Sequence, residues 1–259
     1  MTAPWASGRT ALGAWVKIPA VEVVELLAIA GLDFVVIDRE HGMHDLHTVS
    51  TMISVSLGAG IAPFVRLPGH SPRDVVPVLD AGAVGLFVPH VDNVEDAEAV
   101  VAACRFPPLG RRGAGPTSRA GRWGRAGLPR YLTEASRVTV VAQLESPSAM
   151  ADGLAIAAVP GIDAVFIGPV DLAVSTGQNP GDDRVCAMVS DLETRAASVG
   201  AVIGTTAAAG DQVAGLVERG HRFVVLGNDS GFLLDGAERT VHAGRVARSR
   251  PPEVRSHLR

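Results

Sequence analysis

Short runs of β-branched and apolar residues recur along the chain, each followed by a stretch with helical periodicity. The runs are Ala14–Ile18, Phe34–Asp38, Ala62–Leu67, Gly85–Pro89, Thr139–Glu145, Ala164–Gly168, Val202–Thr206 and Phe223–Gly227. None alternates strictly between apolar and polar residues, which is the pattern of parallel strands buried on both faces. Helices are predicted between them at Val21–Ala30, Pro72–Ala81, Val94–Cys104, Ser148–Ala158, Asp183–Val199, Asp211–Arg219 and Leu234–Arg248. The phrases Ala30-Gly31-Leu32-Asp33, Asp80-Ala81-Gly82-Ala83 and Arg219-Gly220-His221-Arg222 each read as helix end, glycine cap and next strand. Eight such units over about 250 residues predict an α/β protein, a (β/α)8 TIM barrel. A doubly wound open sheet is the alternative, and the lack of a G-x-G-x-x-G after the first strand weakens its dinucleotide-binding form. Residues 1–248 form one barrel domain in this reading, and 249–259 a polar tail expected to fray. The connection from Arg105 to Arg130 is too long for the pattern, and loops of that length usually carry function or are disordered.

Composition narrows the classes. Among 259 residues, 23 are basic and 27 acidic, so the chain is mildly acidic and suits neither nucleic acid nor a membrane surface. Two cysteines exclude a disulfide scaffold and a cysteine-rich zinc site. No run approaches the ~20 apolar residues of a membrane span, and Met1–Arg9 lacks the apolar core of a secretory signal. A cytoplasmic protein is expected. Lys17 is the single lysine. Arginine stays charged and forms no imine, so Schiff-base chemistry would have to use Lys17.

In this barrel the active site lies at the C-terminal ends of the strands. The polar residues expected there are Lys17, Asp38-Arg39-Glu40-His41, Arg66, His90, Glu145, Asp171, Thr205-Thr206 and Asn228-Asp229. Glu145 and Asp171, on adjacent strand ends, can converge on one hard or borderline divalent ion and leave positions open for a bidentate 2-oxo acid. A helix N-cap for Asp171 and a surface charge for Glu145 are the alternative. Arg66 can stabilise an oxyanion or pair with a loop carboxylate. His41 suits proton transfer, whereas His70 and His90 read as bystanders. The segment Gly110-Arg111-Arg112-Gly113-Ala114-Gly115 can cradle an anion through its amides, or be a solvated loop.

Four motifs occur in order. Phe34–His41 ends in D-x-E-H, Pro107–Gly113 reads P-P-x-G-x-R-G, Gln143–Ser146 reads Q-x-E-S, and Phe166–Leu172 contains G-P-x-D-L. Together they resemble the HpcH/HpaI aldolase family, metal-dependent pyruvate aldolases of the 4-hydroxy-2-oxoheptanedioate aldolase type. The resemblance runs from about Gly13 to Arg248. It implies Glu145 and Asp171 as ligands of Mg2+, Mn2+ or Co2+, and Arg66 at the keto oxygen of pyruvate. It implies His41 as the acid/base histidine with Asp80 as its carboxylate partner, and Asp38 as a second motif acid. Gln143, Gly168, Val170 and Asp171 would contact the 2-oxo acid. The resemblance also implies a homo-oligomer, a hexamer of dimers that exchange the last helix, here Leu234–Arg248.

Two departures fall on what the resemblance makes the aldehyde side. The segment after Arg112-Gly113 is about one residue short, and Thr205-Thr206 replaces an apolar pair, which makes Thr206 a candidate for aldehyde contact. The implied reaction is reversible aldol cleavage of a 4-hydroxy-2-oxo acid to pyruvate and an aldehyde through a metal-stabilised enolate. Oxaloacetate decarboxylation, or C–C bond formation from the same enolate, is the enzymatic alternative. A barrel that binds 2-oxo acids without turnover is the non-enzymatic one.

Overall fold

A computed structural model describes residues 3–248; the tail from Ser249 to Arg259 lies outside the described residues. The strands are β1 (Ala11–Val16), β2 (Phe34–Asp38), β3 (Ala62–Arg66), β4 (Gly85–Val88), β5 (Thr139–Leu144), β6 (Ala164–Ile167), β7 (Ile203–Ala207) and β8 (Phe223–Asn228). Each pairs in parallel with the next, and β8 pairs with β1 to close the barrel. The helices are α1 (Val21–Ile29), α2 (Leu46–Ala59), α3 (Pro72–Asp80), α4 (Val94–Cys104), α5 (Leu128–Ala135), α6 (Pro147–Ala157), α7 (Pro169–Thr176), α8 (Asp183–Val199), α9 (Val213–Glu218) and α10 (Asp229–Arg248). The (β/α)8 barrel is thus the observed architecture.

Local sequence explains where these elements begin. Ser71, Asn93 and Ser146 accept main-chain N–H bonds at the starts of α3, α4 and α6, and Pro72 and Pro147 occupy first helical positions where a missing N–H is harmless. The sequence pattern puts the first strand at Ala14–Ile18, but β1 is Ala11–Val16. Ala11 already pairs with Phe223, while the N–H groups of Lys17 and Ile18 leave the ladder and donate to the Asp229 carboxylate. Helix α2 is absent from the sequence-based pattern because Ser50, Ser54 and Ser56 break its apolar face. In the fold, Ser54 and Ser56 donate to the carbonyls of Ser50 and Met52 within the same helix, so they cost it little. The last helix begins at Asp229 rather than Leu234.

The lumen is filled by rings laid over glycines. Gly13, Gly85 and Gly204 stand directly opposite Phe34, Phe64 and Phe223 on neighbouring strands. A Cβ on each would sit 2.2–2.3 Å from the facing ring. Each buried ring contributes about 1.5–3 kcal/mol by leaving water. Trp5 stacks on Phe223 at 4.3 Å and on Phe64 at 5.4 Å, closing the N-terminal end. A second core, between strands and helices, includes Ile37, Ile53, Val65, Leu86, Leu144 and Leu192. On α10, Phe232, Leu233, Leu234, Val241 and Val246 are exposed in the single chain.

Candidate active site

Alternation along the strands sends residues two positions beyond the lumen-lining ones to the open C-terminal mouth. Those residues are Asp38, Arg66, Gln143 and Thr206, two positions beyond the lumen-lining Val36, Phe64, Val141 and Gly204, beside Trp15.

Asp38 organises the mouth. It is wholly buried, and its Oδ1 accepts from the N–H groups of Glu40 and His41, both at 3.1 Å. Arg66 Nε and Nη2 lie 2.9 and 2.6 Å from its two oxygens, and Lys17 Nζ is 3.6 Å from Oδ2. Burial alone pushes its pKa up, but the hydrogen bonds and charge of Arg66 outweigh it and hold the carboxyl below its ordinary value. Arg66 stacks over Trp15, 4.3 Å from the ring centroid, and its Nη1 is 3.1 Å from Glu40 Oε2. Lys17 is therefore a charge partner of Asp38.

Glu145 lies on the other side of the mouth, only 4% exposed. Gln143 Nε2 donates to its Oε1 at 2.5 Å, and the His90 N–H donates to Oε2 at 3.1 Å. Burial raises the Glu145 pKa; the His90 N–H opposes this, and the nearby Asp171 and Glu40 charges add to it. Gly168 stands between the two carboxylate side chains. A Cβ there would be 3.0 Å from Glu145 Cγ and 3.6 Å from Asp171 Oδ2. Asp171 lies in the first turn of α7, beside the main-chain N–H groups of Val170. The buried Gln143 Oε1 has no protein partner among the described residues.

These features fit a divalent ion. Two carboxylates meet across a glycine, and a buried acceptor beside them is left without a donor.

Other expectations are corrected by topology. Asp80 does not meet His41 within the chain. Helix α3 runs antiparallel to the strands, so its last residue, Asp80, lies at the barrel's N-terminal end, while His41 follows β2 at the C-terminal end. Asp80 accepts from Arg112 Nη2 at 2.9 Å. His41 is 54% exposed, and its Nε2 is 3.9 Å from Glu40 Oε1. The Arg105–Arg130 connection follows α4 and so also lies at the N-terminal end, away from the aldehyde side of this chain's own mouth. Its amides form no anion cradle: those of Gly110, Arg111 and Arg112 donate to Phe106, Ala102 and Arg105 carbonyls, and that of Gly115 to the Tyr131 hydroxyl. Thr205 points outward and donates to the Ile167 carbonyl at 3.0 Å. Thr206 is the lumen-facing member, and its hydroxyl donates to Val225 at 3.1 Å, so it is not an unpaired hydroxyl.

Two residues that the sequence places at the strand ends, but to which it gives no role, belong to the site. Glu40 pairs with Arg66, and His90 lies 3.3 Å from both Glu40 and Glu145. Glu40 could have been found as the third residue of D-x-E-H. The position of His90 after Pro89 at a strand end was the only signal for it.

Comparison with known proteins bears on this geometry. A 4-hydroxy-2-oxovalerate aldolase of Rhodococcus jostii (strain RHA1) is 40% identical over 233 residues, 88% of this chain and 89% of the relative. The crystal structure of a HpcH/HpaI aldolase/citrate lyase family protein from Burkholderia cenocepacia J2315 superposes with a TM-score of 0.87 at 30% identity, covering 92% of this chain and 95% of that one. The citrate synthase SbnG superposes with a TM-score of 0.85 at 27% identity, covering 95% and 97%. The model of the HpcH/HpaI aldolase/citrate lyase family matches residues 11–235, and the chain belongs to that family.

Proposed function

We propose that this protein is a divalent-metal-dependent aldolase, a carbon–carbon lyase that cleaves or forms 4-hydroxy-2-oxo acids from pyruvate, or a related 2-oxo acid, and an aldehyde. The observation that carries this reading is the meeting of Glu145 and Asp171 across Gly168, beside a fully paired Arg66.

Glu145 and Asp171 would hold Mg2+, Mn2+ or Co2+. When bound, such an ion supplies a Lewis acid for the keto and carboxylate oxygens of the 2-oxo acid. The chain does the rest. Arg66, held rigid by Asp38, Glu40 and Trp15, presents positive charge to the keto oxygen without reorganising. Gln143 and the first turn of α7 at Gly168, Val170 and Asp171 orient the carboxylate end. His41, exposed at the rim, moves the proton, with Glu40 Oε1 3.9 Å from its Nε2. Asp38 accepts from donors on both oxygens and is assigned the task of fixing Arg66 and the Glu40–His41 turn, rather than carrying a proton. Thr206 faces the aldehyde.

Asp80 can serve a His41 only across a subunit boundary. The apolar residues exposed on α10 give the chain a surface for such assembly, by exchange of that helix into a closed oligomer, a hexamer in this proposal. We place the enzyme in the cytoplasm, with no nucleic-acid or membrane partner. Among the described residues no helix is long and apolar enough to cross a membrane.

The test is incubation with Mn2+, pyruvate and short aldehydes, or with oxaloacetate. A hydroxy-oxo acid supports the aldolase. Release of CO2 alone supports the decarboxylase; the bond-forming alternative draws on the SbnG structure, named a citrate synthase, which shares this fold. Neither product leaves a barrel that only binds 2-oxo acids.

A further inference from the structure

At the end of β4 the chain turns through His90 with a φ of 54°. A residue with a Cβ is unfavourable in this left-handed region and persists there where its surroundings hold it. Two contacts do so. The His90 N–H donates to Glu145 Oε2, and the carbonyl of Pro89 receives His70 Nε2. The imidazole is then carried between two carboxylates, with Nδ1 3.3 Å from Glu145 Oε2 and Nε2 3.3 Å from Glu40 Oε1. The side chain is 66% exposed, so the ring fills no core. What it touches is charge: the carboxylate assigned to the metal on one side, and the one paired with Arg66 on the other.

Glu145 is therefore clamped from two directions. Gln143 fixes Oε1, while the His90 main chain and ring fix Oε2. Oε1, held by the single Gln143 donor, retains a second lone pair for an ion.

We propose that His90 is a positioning residue that presents the Glu145 carboxylate to the divalent ion, so that metal affinity depends on its imidazole. The inference rests on the proposed assignment of Glu145 as a ligand. Outer partners of this kind typically change metal affinity ~10–100-fold when removed.

The test is titration of Mn2+ into the metal-free full chain, with free Mn2+ followed by electron paramagnetic resonance. His90→Gly keeps the main-chain N–H to Glu145, relieves the backbone and removes only the ring. It should bind Mn2+ about tenfold more weakly. His90→Asn tolerates the left-handed backbone and restores an N–H donor, so it should recover part of that loss. Wild-type or tighter affinity in His90→Gly overturns the proposal. Glu145→Gln separates the two levels. If it loses Mn2+ while His90→Gly keeps it, only the role of His90 fails. If Glu145→Gln binds like wild type, the ligand assignment falls and takes this inference with it.

Discussion

Arg66 meets Asp38 as a two-pronged pair, Nε and Nη2 each facing one oxygen of a carboxylate that has no exposed surface. The same guanidinium reaches Glu40 with its remaining nitrogen. Removing it does two things at once. Arg66→Ala should lower turnover ~10²–10³-fold by deleting a fixed oxyanion contact. It should also destabilise the fold by roughly 3–5 kcal/mol, because Asp38 stays buried without its main partner. Arg66→Lys keeps the charge but not the fork, and should be poor in turnover while melting nearer to wild type. Pyruvate proton exchange and thermal melting read the two effects separately. Normal exchange in Arg66→Ala would make the residue purely structural.

Chelation should abolish turnover, and Mn2+, Co2+ or Mg2+ should restore it. Borohydride in the presence of pyruvate should leave no adduct on Lys17, which sits 3.6 Å from the Asp38 carboxylate as its charge partner. A reducible adduct at Lys17, detected by mass spectrometry, would contradict the metal mechanism.

The separation of His41 and Asp80 gives a complementation test. His41→Ala and Asp80→Asn, each inactive alone, should regain activity when mixed chains assemble, if a subunit's Asp80 serves a neighbour's His41. Mixed oligomers seen by native mass spectrometry but without activity would remove Asp80 from the acid/base system. Light scattering that shows a monomer at micromolar concentration would do the same.

Thr206→Leu should shift the order of preference among aldehydes and leave pyruvate proton exchange unchanged. The hydroxyl already donates to Val225, so substitution frees one carbonyl and adds apolar bulk at the mouth. The gain should go to aliphatic aldehydes. Equal losses in exchange and in every aldehyde would move β7 to the pyruvate side.

A pH effect on stability is expected far from the mouth. His221 is 1% exposed and 2.7 Å from Glu193 Oε1. Burial lowers its pKa from the ordinary 6.5, against the pull of Glu193. With the folded-state value below the unfolded one, its contribution is complete above pH 6.5 and is lost as pH falls below that. Melting curves between pH 8 and pH 5 should show a loss that His221→Asn reduces. Parallel curves for the two proteins would assign the loss elsewhere.

The barrel was legible because parallel strands buried on both faces leave continuous apolar runs, and glycine caps mark the returns. What escaped had a physical cause in each instance. Helix α2 hid behind serines that bond to their own helix. The end of β1 was misplaced because Asp229, over two hundred positions away, takes its amides. Asp38, Arg66, Glu145 and Asp171 could be placed at the mouth by their positions at or just after strand ends. The pairing of His41 with Asp80 could not be placed that way, since a helix running back against its strand carries its last residue to the other end. His90 could be placed at a strand end but read as a bystander, because a lone histidine after a proline has no signature of its partner; only the closed barrel brings it to Glu145.

The three glycines under Phe34, Phe64 and Phe223 have a bearing on how this barrel can change over time. Each glycine and its ring are register partners, one strand surrendering the volume that the next one fills. Neither member can be exchanged alone: a larger residue for the glycine collides, and a smaller one for the phenylalanine leaves a cavity. The heritable unit of this interior is the pair, and among homologous barrels the two positions should covary, large against small. The mouth feels this constraint through Trp15, which carries Arg66 on its face and packs edge-on against Phe87 and Phe166, so an interior that can drift only two positions at a time also steadies the arginine above it.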